Sequence, residues 1–306
     1  MQALQEKPLV LECKGEQLLA ILHPAAASAL PSVSPSFGVL VIVGGPQYRV
    51  GSHRQFTQLA RALAENGYPV LRFDCRGMGD SSGEFPGFEN IDADIRAAID
   101  AFMREVPGLP GVVIFGLCDA AAAALLYCRS DERVQGLVLA NPWVRTASGE
   151  ARSFVNHYYG QRLLQGSFWR KLFTGQVNVF GSAFDFARKL VRAHSSSADT
   201  KETAVGFVDR MLAGIEAFRG RSLFLLSERD LTAQEFRDLS GSSPRWGAAL
   251  RKPAVTVQPC AQADHTFSTA STRDQAIAVM LDWLRQAAGS SAKAGARVAA
   301  GGQGRL

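Results

Sequence analysis

Zinc-type and disulfide-type cysteine spacings are missing from this chain. Its five cysteines stand at 13, 75, 118, 128 and 260, with no CxxC pair. An odd, scattered set points to a reducing compartment and away from a disulfide framework or a zinc site. Blocks of Lys and Arg are missing too. The net charge of +5 is spread along the chain, and no aromatic-basic interleaving accompanies it, so no nucleic-acid partner is expected. No apolar run approaches the roughly 20 residues of a membrane span. The N-terminal stretch MQALQEKPLVLECKGEQ has no apolar signal core. A cytoplasmic protein without a transmembrane segment is the expectation. No GxGxxG follows the first buried strand, which disfavours a dinucleotide-binding module. No cofactor or metal is expected. Internal repeats are absent, and nothing in the sequence fixes an oligomeric state.

What is present suits a large core. The chain has 306 residues and is 47% apolar, enough for one large α/β domain with an insertion, or for two domains. Pro8–Cys13 and Gln17–Leu22 read as an N-terminal antiparallel hairpin around Lys14-Gly15-Glu16. Four short apolar runs then read as buried strands: Phe37–Val43, Pro69–Phe73, Val112–Phe115 and Gly136–Ala140. Amphipathic helices are predicted between them, over Ser52–Glu65 and residues 89–105. This alternation means a mostly parallel sheet with helices on both faces.

The rhythm stops between 142 and 219, a stretch rich in aromatics that reads as a helical cap inserted into the core of 1–141 and 220–288. It then resumes with a strand at Ser222–Ser227, a helix at Thr232–Leu239, a strand at Ala254–Gln258 and a helix at Ser271–Ala288. Residues 289–306 lack periodicity and read as a disordered tail.

The stretch VVIFGLCDAAA, Val112–Ala122, organises the rest. An apolar strand is broken at Gly116, Cys118 follows, and an alanine run starts a helix. Small residues lie two positions either side of the cysteine. The pattern is G-x-nucleophile-x-small, the strand–turn–helix elbow, with cysteine in place of serine and Ala120 in place of the second glycine. The small residues let strand and helix pass closely. The helix N-terminus beneath the sulfur favours a thiolate.

In an open α/β sheet, chemistry collects where strands end. Those ends carry Gly44-Gly45-Pro46-Gln47, then Asp74-Cys75-Arg76-Gly77-Met78-Gly79-Asp80-Ser81, then Cys118, then Glu228-Arg229-Asp230, then Asp264-His265. Nucleophile, acid and histidine in that chain order match the α/β-hydrolases. Over about residues 8–288 the sequence resembles an α/β-hydrolase of the serine-aminopeptidase and lipase-like group. The most specific motif is Asp74-x-Arg76-Gly77-x-Gly79-x-Ser81. More narrowly, GGPQYRVGSHRQF, GLCDAA and YYGQRLLQGSFWRKLFTGQVN resemble the exosortase A system-associated hydrolase 1 family, found beside exosortase and exopolysaccharide genes.

This resemblance implies an α/β-hydrolase fold and a Cys-His-Asp triad. Cys118 is the expected nucleophile, His265 the base and Asp230 the group that orients it, with Glu228 the other acid in reach. The oxyanion hole needs two N–H donors. Asp119 is one; Gly45 is the other, or Gln47 if the turn is shifted, because Pro46 has no N–H. Gln47, Tyr48 and Arg49 are expected to face substrate, with Arg49 paired to a substrate anion or held by a nearby acid. Three functions stay open. One is hydrolysis of a small-molecule acyl ester or thioester. Another is acyl transfer with the same residues, since thioesters react well with amines and thiols. The third is a non-enzymatic scaffold.

Overall fold

The computed structural model describes residues 6–26, 37–45, 47–145 and 206–301, with side chains described as far as 288. Its centre is a sheet of eight strands: β1 (Lys7–Cys13), β2 (Glu16–His23), β3 (Gly38–Ile42), β4 (Val70–Phe73), β5 (Val112–Leu117), β6 (Val134–Ala140), β7 (Arg221–Ser227) and β8 (Val255–Cys260). The order across the sheet is β1-β2-β4-β3-β5-β6-β7-β8. β1 and β2 form the expected antiparallel hairpin, and β2 lies antiparallel to β4. Every pairing from β4 through to β8 is parallel. Two-sided burial explains the apolar runs: Val39, Leu40, Val41 and Ile42 are all fully buried.

Helices cover both faces. α1 (Gln55–Glu65) and α7 (Ala270–Gly301) pack together on one side. The Phe56 ring meets Phe115 of β5 edge-on there. α2 (Asp92–Glu105), α3 (Asp119–Tyr127) and α4 (Phe207–Ala217) take up the other. α3 and α4 cross closely: a Cβ on Gly214 would lie 2.0 Å from the Leu125 carbonyl oxygen. α5 (Leu231–Ser242) and α6 (Pro244–Leu250) follow β7, and Ser243 caps α6 through the Trp246 N–H.

Several elements differ from the sequence reading. Gly116 does not break its strand. It pairs with Ile42 on one side and Leu139 on the other, and β5 runs on to Leu117. The helix predicted from Ser52 begins only at Gln55, because His53 and Arg54 have φ of 53° and 60°. α6 has no counterpart in the reading. The predicted tail continues α7 as far as Gly301, because alanine and arginine favour helix even without an apolar face. Most of the expected cap, residues 146–205, lies outside the described residues. α4, placed by sequence at the end of that cap, packs on α3 and buries Met211, Leu212 and Ile215. No helix among the described residues is long and apolar enough to cross a membrane.

Candidate active site

β5 delivers Cys118 to the sheet's carboxyl edge. Its backbone has φ 63° and ψ −123°, a strained conformation for a side chain with a Cβ. The surroundings over-determine it. The Cys118 N–H donates to the Ala140 carbonyl (2.9 Å), and its own carbonyl accepts from Ala121, Ala122 and Trp143. The two flanking small residues have the steric role the elbow pattern demands. A Cβ on Gly116 would fall 2.5 Å from the Ala120 carbonyl oxygen, and one on Gly44 would fall 2.7 Å from the Ala120 nitrogen. The alanine run Ala120–Ala124 of α3 lets this helix pack closely on β5.

Cys118 is only partly buried, whereas Cys13, Cys75, Cys128 and Cys260 are buried. Burial pushes the Cys128 thiol up to about 12 and the Cys260 thiol up to about 11. Those two stay protonated at neutral pH and pack as small hydrophobes.

His265 comes from the loop after β8, and the Cys118 sulfur is among the groups that act on its ring. On the other side of the ring, Nδ1 lies 3.0 Å from Asp230 Oδ2, approached obliquely. The contact to Asp230, and then the contact to the Cys118 sulfur, push the imidazole up to about 10 against its partial burial. The imidazole is therefore protonated at neutral pH.

Asp230 does two jobs. As the N-cap of α5 its carboxylate accepts from Thr232 N–H (3.3 Å) and Ala233 N–H (3.0 Å) while it faces His265. Glu228, the rival acid, instead accepts the Gln262 N–H at 2.8 Å and braces the loop.

The sequence reading missed Asn141. It is fully buried just past β6, at φ 45°. Its amide donates to Ser227 Oγ (3.0 Å) and to the His265 carbonyl (3.1 Å), and its oxygen accepts the Ser227 N–H (2.8 Å). It ties the ends of β6 and β7 to the histidine loop. Its one sequence signal was an asparagine directly after a buried strand, too common to single out.

The Gly45 N–H reaches the elbow, but it is taken: it donates to Asp119 Oδ2 at 2.9 Å. The Gln47 side-chain oxygen is buried with no partner among the described residues, and Tyr48 is exposed. Of the two expectations for Arg49, the structure shows the nearby acid. Its guanidinium is ion-paired with Asp74 and with Asp80 (2.7 Å), and its N–H donates to Asp74 at 2.5 Å. Burial opposes the charge, and the bonds to Asp80 and Asp74 more than offset that. The rest of the DxRGxGxS loop is likewise structural. Arg76 pairs with buried Asp94, Ser81 Oγ donates to the Asp74 carbonyl, and a Cβ on Gly79 would lie 2.3 Å from Asp74 Oδ2.

Comparison with known proteins agrees with this architecture. The serine aminopeptidase S33 family matches residues 35–218, well over half of the chain. A search of curated protein sequences returns no match. Among solved structures, the chain is similar to the esterase Pf2001 of Pyrococcus furiosus (TM-score 0.60, 13% identity, 93% of each chain covered). It is also similar to the α/β-hydrolase GrgF of Penicillium sp. sh18 (0.61, 16%, 94% of this chain and 100% of that one). A third is Est1E of Butyrivibrio proteoclasticus, solved with ferulic acid bound (0.58, 12%, 91% and 98%). Identities this low speak for the fold alone, and the family match speaks for the class of chemistry. The chain belongs to the serine aminopeptidase S33 family and is a hydrolase of the α/β-hydrolase fold.

Proposed function

We propose that this hydrolase cleaves a small-molecule ester or thioester through an acyl-cysteine at Cys118. The observation that carries the reading is His265 lying between the Cys118 sulfur and Asp230 at the end of a strained elbow. The ester class follows the similar Pf2001 protein, described as an esterase.

The thiolate attacks the acyl carbon, and the carbonyl oxygen becomes an oxyanion beside the Asp119 N–H. His265 gives its proton to the departing alkoxide or thiolate as the tetrahedral adduct collapses to a thioester. It then takes a proton from water, the hydroxide adds to the thioester, and Cys118 leaves as thiolate with release of the acid. Asp230 holds the ring and balances its charge throughout. Acyl transfer is the second reading, favoured by the sulfur itself: a thioester intermediate reacts readily with amines and thiols. The GGPQYRVGSHRQF and GLCDAA segments support a place beside an exosortase and exopolysaccharide system.

Intact-mass spectrometry with a panel of acyl esters and thioesters tests the proposal. An acyl-sized gain on the wild type, stronger than on His265→Ala, is expected. No adduct and no product with any donor would move the scaffold reading to the front. Free acid without acceptor marks hydrolysis; acyl-acceptor product marks transfer.

The same pair sets the pH dependence. The folded value of His265, about 10, lies above its ordinary 6.5, so the imidazolium is present below that range and is lost as pH rises through it. We expect kcat/KM to hold through pH 8 and 9 and to fall in a limb near pH 10. A profile that instead rises through pH 6.5 to an alkaline plateau would show neutral histidine acting as base, with no resting ion pair.

A further inference from the structure

The side chain of Asp119 has no part in the mechanism above, yet it occupies the site. Its Oδ2 accepts the Gly45 N–H at 2.9 Å. The Gly45 N–H is one of the two donors that a reacting carbonyl oxygen would use. The other Asp119 oxygen, Oδ1, is buried without a partner. Gly44 leaves the room for it: a Cβ there would stand 2.0 Å from Oδ1. The loop and the helix start are thus shaped around a carboxylate.

We propose that Asp119 gates the oxyanion hole: in the free protein its carboxylate holds the Gly45 N–H, and the substrate carbonyl displaces it. The inference rests on Cys118 as nucleophile and on the Gly45 and Asp119 N–H groups as oxyanion donors. Its physical basis is simple. One N–H makes one good hydrogen bond, so the hole has a single seat on Gly45. An ionised carboxylate in that seat also repels a second anion beside it. The titratable groups facing Asp119 are His265 from the loop after β8, Cys118 on the elbow and buried Cys75 from the loop after β4. Burial raises the Asp119 carboxyl above its ordinary value, and the Gly45 N–H and the His265 cation act against that rise. The gate therefore favours neutral acyl groups over acyl groups that carry a carboxylate next to the reacting carbon.

Alkylation of Cys118 reads this directly. Iodoacetate and iodoacetamide attack the same sulfur and differ by one negative charge, so their rate ratio cancels the fraction of thiolate. The four other thiols are buried, and peptide mass mapping assigns the label. In Asp119→Ala and in near-isosteric Asp119→Asn, the iodoacetate-to-iodoacetamide ratio at Cys118 should rise about fivefold or more over wild type. The asparagine variant decides the matter if the alanine variant fails to fold. An unchanged ratio with iodoacetamide still labelling Cys118 would overturn the gate and leave the nucleophile reading standing. Failure of iodoacetamide to label Cys118 in the wild type would overturn both.

Discussion

Cys118→Ala removes hydrolytic turnover by a factor of about ten thousand or more and abolishes the acyl adduct, with little change in melting temperature. The chemical half of this expectation follows from the site. The four other cysteines are buried, so no second thiol stands ready to replace Cys118. What survives is the catalysis that binding and oxyanion donors supply alone. The stability half follows from the backbone. Alanine at φ 63° carries the same Cβ strain that cysteine already bears, and Cys118 is only partly buried, unlike the other four cysteines. Cys118→Ser separates the nucleophile from its position. Without the sulfur, His265 loses the second of the two contacts that raise it and becomes a better base at neutral pH. Serine needs such a base, because its hydroxyl does not ionise on its own. We expect the serine variant to work at roughly a hundredth of the wild-type rate or less, well above alanine, with a rate that climbs through the ordinary histidine range. Steady-state kinetics across pH on the three proteins checks both parts. An alanine variant that keeps turning over substrate would end the acyl-cysteine mechanism.

Much of this architecture was legible in the sequence, for local reasons. Buried parallel strands announce themselves as apolar runs, and Val39–Ile42 is buried throughout. The elbow was legible because its requirements are steric and fall within five residues, Gly116 to Ala120. What failed to show depends on pairings across the chain. Whether Arg49 met a substrate anion or a nearby acid stayed open, because its partners, Asp74 and Asp80, lie on the next loop, and only the fold brings them to it. Asp230 was read as the triad acid with Glu228 as the second candidate, because both follow β7. Their difference lies in direction: one side chain turns to the Gln262 N–H and the other to the start of α5 and to His265. Asp119 was read only for its backbone, since nothing local says its carboxylate folds back onto Gly45. Gly116 was misjudged for a related reason. Glycine usually weakens a strand, but here it is needed in the strand because α3 turns back so tightly that a Cβ would strike the Ala120 carbonyl.

Asp230 offers the sharpest separation of structure from chemistry, because one carboxylate both caps a helix and holds the histidine. Asparagine can still accept N–H bonds at an N-cap, so Asp230→Asn keeps the start of α5 and should melt within a degree or so of wild type. It replaces the carboxylate whose hydrogen bond, the largest cause, and whose charge both raise His265. Two effects should follow together. The rate constant kcat should fall on the order of a thousandfold or more, the scale seen when a triad acid is replaced by its amide. The alkaline limb of the pH profile should also move down from near 10 by at least about one unit, because the imidazolium loses its principal stabiliser. Asp230→Ala should show the same kinetic loss and also lower stability by about 1 kcal/mol, the usual cost of a missing cap. Glu228→Gln is the control, since Glu228 contacts the Gln262 N–H and not the ring, and its kcat should stay within about twofold of wild type. If Asp230→Asn leaves both kcat and the limb in place, Asp230 is a helix cap alone. A kinetic loss with an unmoved limb would instead mean that Asp230 orients the ring without setting its charge, because orientation and charge stabilisation are the two things this carboxylate can do for His265, and the limb reports only the second.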